Sequence, residues 1–374
     1  MNTQRRFSNH RPLATLAVVG ITLHLVACTG EEADNTGVPS FAVDPHWPKP
    51  LPNNWIIGQV SGVAVDSRDH VWIAHRPGSL TPNEIGSAQD PPISACCDPA
   101  PPVIEFDQDG NVVQAWGGPD THDPWPNAEH GIYVDFQDNV WIASSGASAD
   151  VVLKFSSEGE RLLQIGEFGE TGGSDNTTLL GGPTDIAVDP VTNEVYISDG
   201  YGNRRVIVYD AESGEYRRHW GAYGETPDDS ELEPYDPEAD PLRTWRTPVH
   251  SVRISNDDLV YVSDRVGNRF QVFQKNGEFV TEKLIATETL SMGSVWDIDF
   301  SPDAEQTYMY VADGTNNKVW TLTRDNFEIV GEFGRNGRYA GQFHWLHSIA
   351  VDSHGNIYTG EVDTGMRVQR FVRR

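Results

Sequence analysis

Cysteine is scarce in this chain. It has three among 374 residues, and two of these, Cys96 and Cys97, are neighbours, which excludes an ordinary disulfide framework. The pair lies in a proline-rich loop, residues 77–102. In an oxidising compartment it can close on itself as a vicinal disulfide or bind a soft metal, and we read it as a pair that stiffens its loop without chemistry. Positive charge is scarce too. Against 55 acidic residues there are 27 lysines and arginines, a formal charge of −28, and such an excess repels nucleic acid and anionic lipid headgroups. We read the acidity as a solubility feature, and the acidic, proline-containing run 226–240 as a solvated loop. Helical periodicity is missing beyond the N-terminus, so no second domain is expected.

What the N-terminus does contain is an address. Arg5, Arg6 and Arg11 precede an apolar stretch, residues 13–27, which is too short to be a convincing membrane span and ends in Leu25-Val26-Ala27-Cys28. A charged segment, an apolar segment and small residues before a cysteine form the bacterial lipobox pattern. The expected division is a signal peptide at 1–27, a tether at 28–39 that begins with lipidated Cys28, and one domain at 40–374. The expected location is extracytoplasmic, on the periplasmic or cell-surface face of a bacterial membrane, with the lipid as the only membrane contact. Loss of three arginines and no acid would take the charge from −28 to −31.

The rest of the chain repeats. Six short apolar strands align: Ser61-Gly-Val-Ala-Val-Asp66, His130-Gly-Ile-Tyr-Val-Asp135, Thr184-Asp-Ile-Ala-Val-Asp189, His250-Ser-Val-Arg-Ile-Ser255, Trp296-Asp-Ile-Asp-Phe-Ser301 and His347-Ser-Ile-Ala-Val-Asp352. After each, a polar turn leads to a second β-branched or aromatic run, such as Val71-Trp-Ile-Ala74 or Val195-Tyr-Ile-Ser198, and a third and often a fourth strand follow. Abundant turn residues (35 Gly, 24 Pro) and aromatics (11 Trp, 12 Tyr) suit such sheets. Six copies of a three-to-four-strand unit predict an all-β fold, a six-bladed β-propeller. The last copy ends after three strands, so residues 40–43 are expected to supply its fourth and close the ring.

Histidine opens every second copy, as His130, His250 and His347. In a propeller blade the innermost strand lines the central channel, so alternate blades would set three imidazoles around one axis, with open positions left for water or substrate. A lone histidine at a strand start is usually structural; three in one register predict a divalent metal, zinc first and iron as the alternative. His46, His70, His75, His122, His219, His344 and His354 share no such register and are read as surface or packing residues. At the end of the second strand, Asp199, Asp264 and Asp313 open an Asp-x3-Asn-[Arg/Lys] turn, which we read as structural. Within or beside these turns, Arg76, Tyr201 and Arg265 should overlook the same channel mouth as the histidines.

These residues carry a resemblance. The turns and strand rhythm are similar to NHL repeats, and Gly58-Gln-Val-Ser-Gly-Val-Ala-Val-Asp66, Ala74-His-Arg76, His130-Gly131, Val195-Tyr-Ile-Ser-Asp-Gly-Tyr201, Pro248-Val-His-Ser251 and Leu346-His347 resemble the peptidyl-α-hydroxyglycine α-amidating lyase family. The resemblance implies zinc on His130, His250 and His347, a catalytic Tyr201, and active-site arginines at Arg76 and Arg265. It implies a lyase that cleaves the N–C bond of an α-hydroxyglycine to give an amide and glyoxylate. Its partner would be a small molecule or peptide with a free carboxylate, and a monomer suffices. It also implies a structural calcium that takes backbone oxygens from Val63 and Ile132. The family's carboxylate for that ion is replaced by Ser348, its cysteine after the tyrosine by Gly202, and its methionine two residues before the third histidine by Trp345.

A non-catalytic NHL-type propeller that binds a protein or glycan on its channel face is the alternative. A lactonase-type propeller is a weaker third reading, because such propellers use an acidic and amide calcium site where this chain offers histidines. Mass spectrometry of the mature protein should find Cys28 as a lipidated first residue; a product that starts elsewhere would refute the anchor.

Overall fold

The computed structural model describes residues 37–146 and 150–374. Cys28 and the leader 1–27 lie outside the described residues, as do residues 28–36 of the tether. Val38–Arg374 is one compact unit, a six-bladed β-propeller whose blades are six four-stranded antiparallel sheets. Three single-turn 3₁₀ segments, Pro77–Ser79, Gly86–Ala88 and Ala222–Gly224, are the helices described.

The innermost strands, Gln59–Val65, Glu129–Val134, Pro183–Asp189, Val249–Ile254, Asp297–Phe300 and Leu346–Val351, coincide with the six aligned segments in order, most of which run one residue past the strand into the turn. Where such a strand ends in aspartate, the side chain caps the turn that follows. Asp66 accepts the amides of Arg68 and His70 and the Trp72 indole N–H; Asp135 does the same for Gln137, Asn139 and Trp141. Asp352 repeats the arrangement with His354, Asn356 and the Tyr358 hydroxyl. One residue thus satisfies the turn and anchors the aromatic of the second strand, which is why the repeat is legible at that position.

Hydrophobic clusters fill the spaces between successive blades: Trp72, Ile132 and Phe155 between blades one and two, Val208, Trp245 and Val262 between three and four, Val60, Val63 and Tyr358 between six and one. Period-2 strands packed face to face account for this arrangement, since each sheet must be apolar on both faces.

Phe41–Asp44 pairs with Arg367–Arg373 in antiparallel register, Phe41 with Arg373 through Asp44 with Arg370, as the three-strand count of the last copy required. Phe41 also stacks on Phe333 and Tyr310 of blade five at 4.9 and 5.5 Å. Cys96 and Cys97 are joined to each other as a disulfide in the loop of blade one, the vicinal alternative rather than a pair without chemistry. The run 226–240 is a largely exposed loop.

Phe41→Ala should cost about 2 kcal/mol, less than a fully buried phenylalanine because the ring is half-buried. Denaturant unfolding checks this; an unchanged midpoint would mean that the closing strand contributes little.

Candidate metal centre

Five of the six innermost strands carry a register irregularity at their start, as between Glu129 and Ile132, Val249 and Val252, or Leu346 and Ser348. Such a bulge frees one residue from the ladder and re-aims its side chain. The freed residues are the predicted ones: His130, His250 and His347 are each at most 3% exposed, with ring centroids 4.6 to 5.0 Å apart. One nitrogen from each lies within 4.8 Å of the others.

The alternation now has a physical cause. His130 Nδ1 lies 2.7 Å from the carbonyl oxygen of Thr184, His250 Nδ1 2.5 Å from that of Trp296, and His347 Nδ1 2.7 Å from that of Ser61. Thr184, Trp296 and Ser61 hold the same repeat position in the next blade. Even-numbered blades supply imidazoles and odd-numbered blades supply the carbonyls that hold them. A carbonyl can only accept, so each Nδ1 carries the proton and each Nε2 presents a lone pair to the axis. Burial, followed by neighbouring guanidiniums and, at His130 and His250, by the other imidazoles, lowers all three pKa values well below 6.5, so the rings are neutral and able to coordinate. Among the described residues His250 Nε2 is buried with no hydrogen-bond partner, the expected state of a ligand atom aimed at an ion. These residues fit a divalent metal with open positions.

The other three predicted residues stand around this group. The Tyr201 hydroxyl lies 3.2 Å from His130 Nε2 and 3.4 Å from Arg265 Nη1. The Arg265 guanidinium lies over the Trp296 ring at 4.4 Å, a cation–π contact that sequence reasoning did not anticipate. Arg76 donates from Nε to the Glu129 backbone oxygen at 2.8 Å and from Nη1 to Gln59 Oε1 at 2.9 Å. Its charge is felt at His130 and at His347. Among the described residues neither Arg76 nor Arg265 is paired with a carboxylate. Gln59 and Glu129 were missed in the sequence, although Glu129 directly precedes a candidate ligand. Its carboxyl, held by the Trp125 indole N–H at 2.6 Å, is pushed up to about 7 by burial, against Trp125 and Arg76.

The turn that presents Tyr201 is braced without a disulfide. The amides of Gly200 and Tyr201 bond the Gly182 carbonyl, and those of Gly202 and Asn203 the Gly181 carbonyl. Gly182 has φ +82°, and a Cβ there would stand 2.7 Å from that of Tyr201, so glycine is required. Below it, Asp199 accepts the Gly181 amide, Asn203 Nδ2 and buried Arg205. The turn aspartates are structural as expected, but the basic partner differs: Arg205 rather than motif residue Arg204 in blade three, motif residue Arg269 in blade four. Lys318 of blade five pairs with Glu332.

Calcium fits less well. Val63 and Ile132 do line the axial cavity, with Ser348 and the three histidines, but that cavity is also lined by Arg253, Asp185 and Asp297. Arg253 forms ion pairs with both carboxylates, so a guanidinium already stands where the expected ion would need charge, and Ser348 brings none. On that ground the residues around Val63 and Ile132 do not fit a calcium ion. A second group, Asp66, His70 and Glu105, is close enough to hold an ion. It is bridged by Arg68, whose Nη2 lies 2.5 Å from Asp66 and 2.9 Å from Glu105, and we read it as an ion-pair network.

No family model matches the chain. It is 25% identical over 340 residues to peptidyl-glycine alpha-amidating monooxygenase B of Xenopus laevis, covering 85% of this chain and 34% of that protein. It is 27% identical over 355 residues to peptidyl-alpha-hydroxyglycine alpha-amidating lyase 1 of Drosophila melanogaster, covering 88% and 59%. It is 26% identical over 303 residues to NHL repeat-containing protein 3 of Mus musculus, covering 78% and 70%. The chain is similar to amidating enzymes and to NHL-repeat proteins. It spans about a third of the length of the amidating monooxygenases it matches. A structure of streptogramin B lyase superposes with TM-score 0.52 at 13% identity, covering 89% of this chain and 98% of that one, a likeness that shows the fold alone.

The purified protein should contain one divalent metal per chain, and His250→Ala should lose most of it and lower the thermal midpoint, because an ion bound only to the folded state stabilises it. Elemental analysis decides; full metal content in that variant would refute a shared site.

Proposed function

We propose that the protein is a metal-dependent carbon–nitrogen lyase that cleaves an α-hydroxyglycine amide, a carbinolamide with a free carboxylate, into an amide and glyoxylate. The observation that carries this reading is the convergence of two guanidiniums without carboxylate partners and one phenol above three neutral imidazoles. Buried cations left without counterions suit an anionic substrate group.

A metal bound at the three Nε2 atoms, zinc in our reading, supplies Lewis acidity toward the substrate hydroxyl. Arg76, held from behind by Gln59 and the Glu129 carbonyl, clamps the carboxylate, which its planar fork matches. Tyr201 takes the hydroxyl proton. Arg265, fixed by its stacking on Trp296, steadies the phenolate that results and the substrate oxygen. The carbon–nitrogen bond then breaks with its electron pair passing to nitrogen. The carbon–oxygen bond becomes the aldehyde of glyoxylate, and Tyr201 returns the proton to the departing amide nitrogen. We place this chemistry on the extracytoplasmic face of a bacterial membrane, with the protein anchored by lipid on Cys28.

The similarity to NHL repeat-containing protein 3 favours a second reading, a propeller that binds a protein or glycan on its channel face. An assay separates them. The metal-loaded protein should release glyoxylate from an α-hydroxyglycine amide. Tyr201→Phe should lower kcat at least about 100-fold with metal retained, and Arg76→Lys should chiefly raise KM, by about tenfold. A metal-loaded protein that releases no glyoxylate from any carbinolamide tested would support the binding propeller.

A further inference from the structure

We propose that the guanidinium of Arg253 is the resident cation of the axial channel, and that the protein takes no calcium there. The inference is independent of the lyase reading and rests on how charge is distributed around the ring.

The position that follows the metal-ligand position in each repeat is Gly62, Gly131, Asp185, Ser251, Asp297 and Ser348. Carboxylates occur in this register only in blades three and five. Blade four, between them, carries Arg253 two residues further along its innermost strand. The three side chains meet beneath the histidines: Arg253 Nη1 bonds Asp185, and Nη2 lies 3.1 and 3.2 Å from the two oxygens of Asp297. All three residues are largely buried.

The carboxylates are engaged elsewhere as well. Asp185 Oδ2 accepts the amide of Val252 in blade four; Asp297 accepts Ile298 of its own blade and Ile349 of blade six, at 2.8 and 3.0 Å. One guanidinium therefore holds blade four to blades three and five, and through Asp297 the link continues to blade six. Asp299, also attracted by Arg253, accepts the Val351 amide of blade six at 2.8 Å. A calcium ion needs six to eight oxygen ligands, carboxylates among them. Here Val63 and Ile132 bring no side-chain charge, Ser348 is a hydroxyl, and the two acids that line the cavity already face a cation. The competing consideration is that three carboxylates outnumber one guanidinium, and excess negative charge attracts divalent ions; binding to the wild-type chain is therefore measured directly.

The full chain, loaded with its histidine metal, is dialysed against millimolar calcium, desalted, and analysed for calcium content and thermal midpoint. Chelators are left out, because they would strip the histidine site as well. We expect no stoichiometric calcium and a midpoint that moves by less than about 1 °C. One calcium per chain, or a rise of several degrees, would overturn the proposal. Arg253→Leu, which removes the cation and strands the facing carboxylates, should lower the midpoint by several degrees, and Arg253→Lys by less. A leucine variant as stable as wild type at neutral pH would overturn it too. If that variant does not fold, the calcium measurement on the wild-type chain still decides.

Discussion

Four residue pairs between Phe41–Asp44 and the last strand close the ring, and the arrangement at the axis depends on that closure. His347 stands in blade six and its acceptor, the Ser61 carbonyl, in blade one, 286 residues away along the chain. If the two ends did not pair, this bond would be held only by the packing between the blades, and one imidazole of three would lose its fixed direction. Entropy makes long-range contacts expensive to form; here a strand at one terminus secures the contact on which the third ligand relies.

The same economy runs around the axis. Six equivalent positions could have presented six imidazoles, but a ring nitrogen that faces the centre needs its other nitrogen occupied, and the nearest acceptor is the backbone of the next blade. Alternation follows: a blade that gives its carbonyl to a neighbour's imidazole leaves its own side chain free for other work. Thr184 uses its hydroxyl to bond the backbone of blades three and four, and Trp296 uses its ring to support Arg265. The orientation of the three candidate ligands and blade-to-blade cohesion are thus served by the same three bonds.

Charge is sorted with equal economy. Although the chain is strongly acidic, the cations near the axis divide into two kinds. Arg205, Arg269 and Arg253 are buried against Asp199, Asp264 and Asp185 with Asp297, and they hold turns and blades in place. Arg76 and Arg265 project from the ends of second strands in blades one and four and, among the described residues, lack carboxylate partners. The paired arginines hold the turns and blades that position the other two, which is the condition for the preorganised anion site proposed above.

The sequence by itself determined the number of blades, the boundaries of most strands, the need for a closing strand, the histidine alternation and the turn positions of Arg76, Tyr201 and Arg265. All of these follow from a period of two within strands and a repeat between them, signals that are local and recur six times. The partners that act across blades were decided only by the tertiary structure: the acceptor carbonyls of Ser61, Thr184 and Trp296, the hold of Gln59 and Glu129 on Arg76, and the Gly181-Gly182 clamp on the tyrosine turn. Asp185 and Asp297 are visible as residues in the sequence, but not as partners of Arg253, whose guanidinium bears directly on a calcium ion at Val63 and Ile132. Such contacts depend on which way a bulged strand aims a side chain and on which groups burial brings together, and neither is encoded in the spacing of residues along one blade.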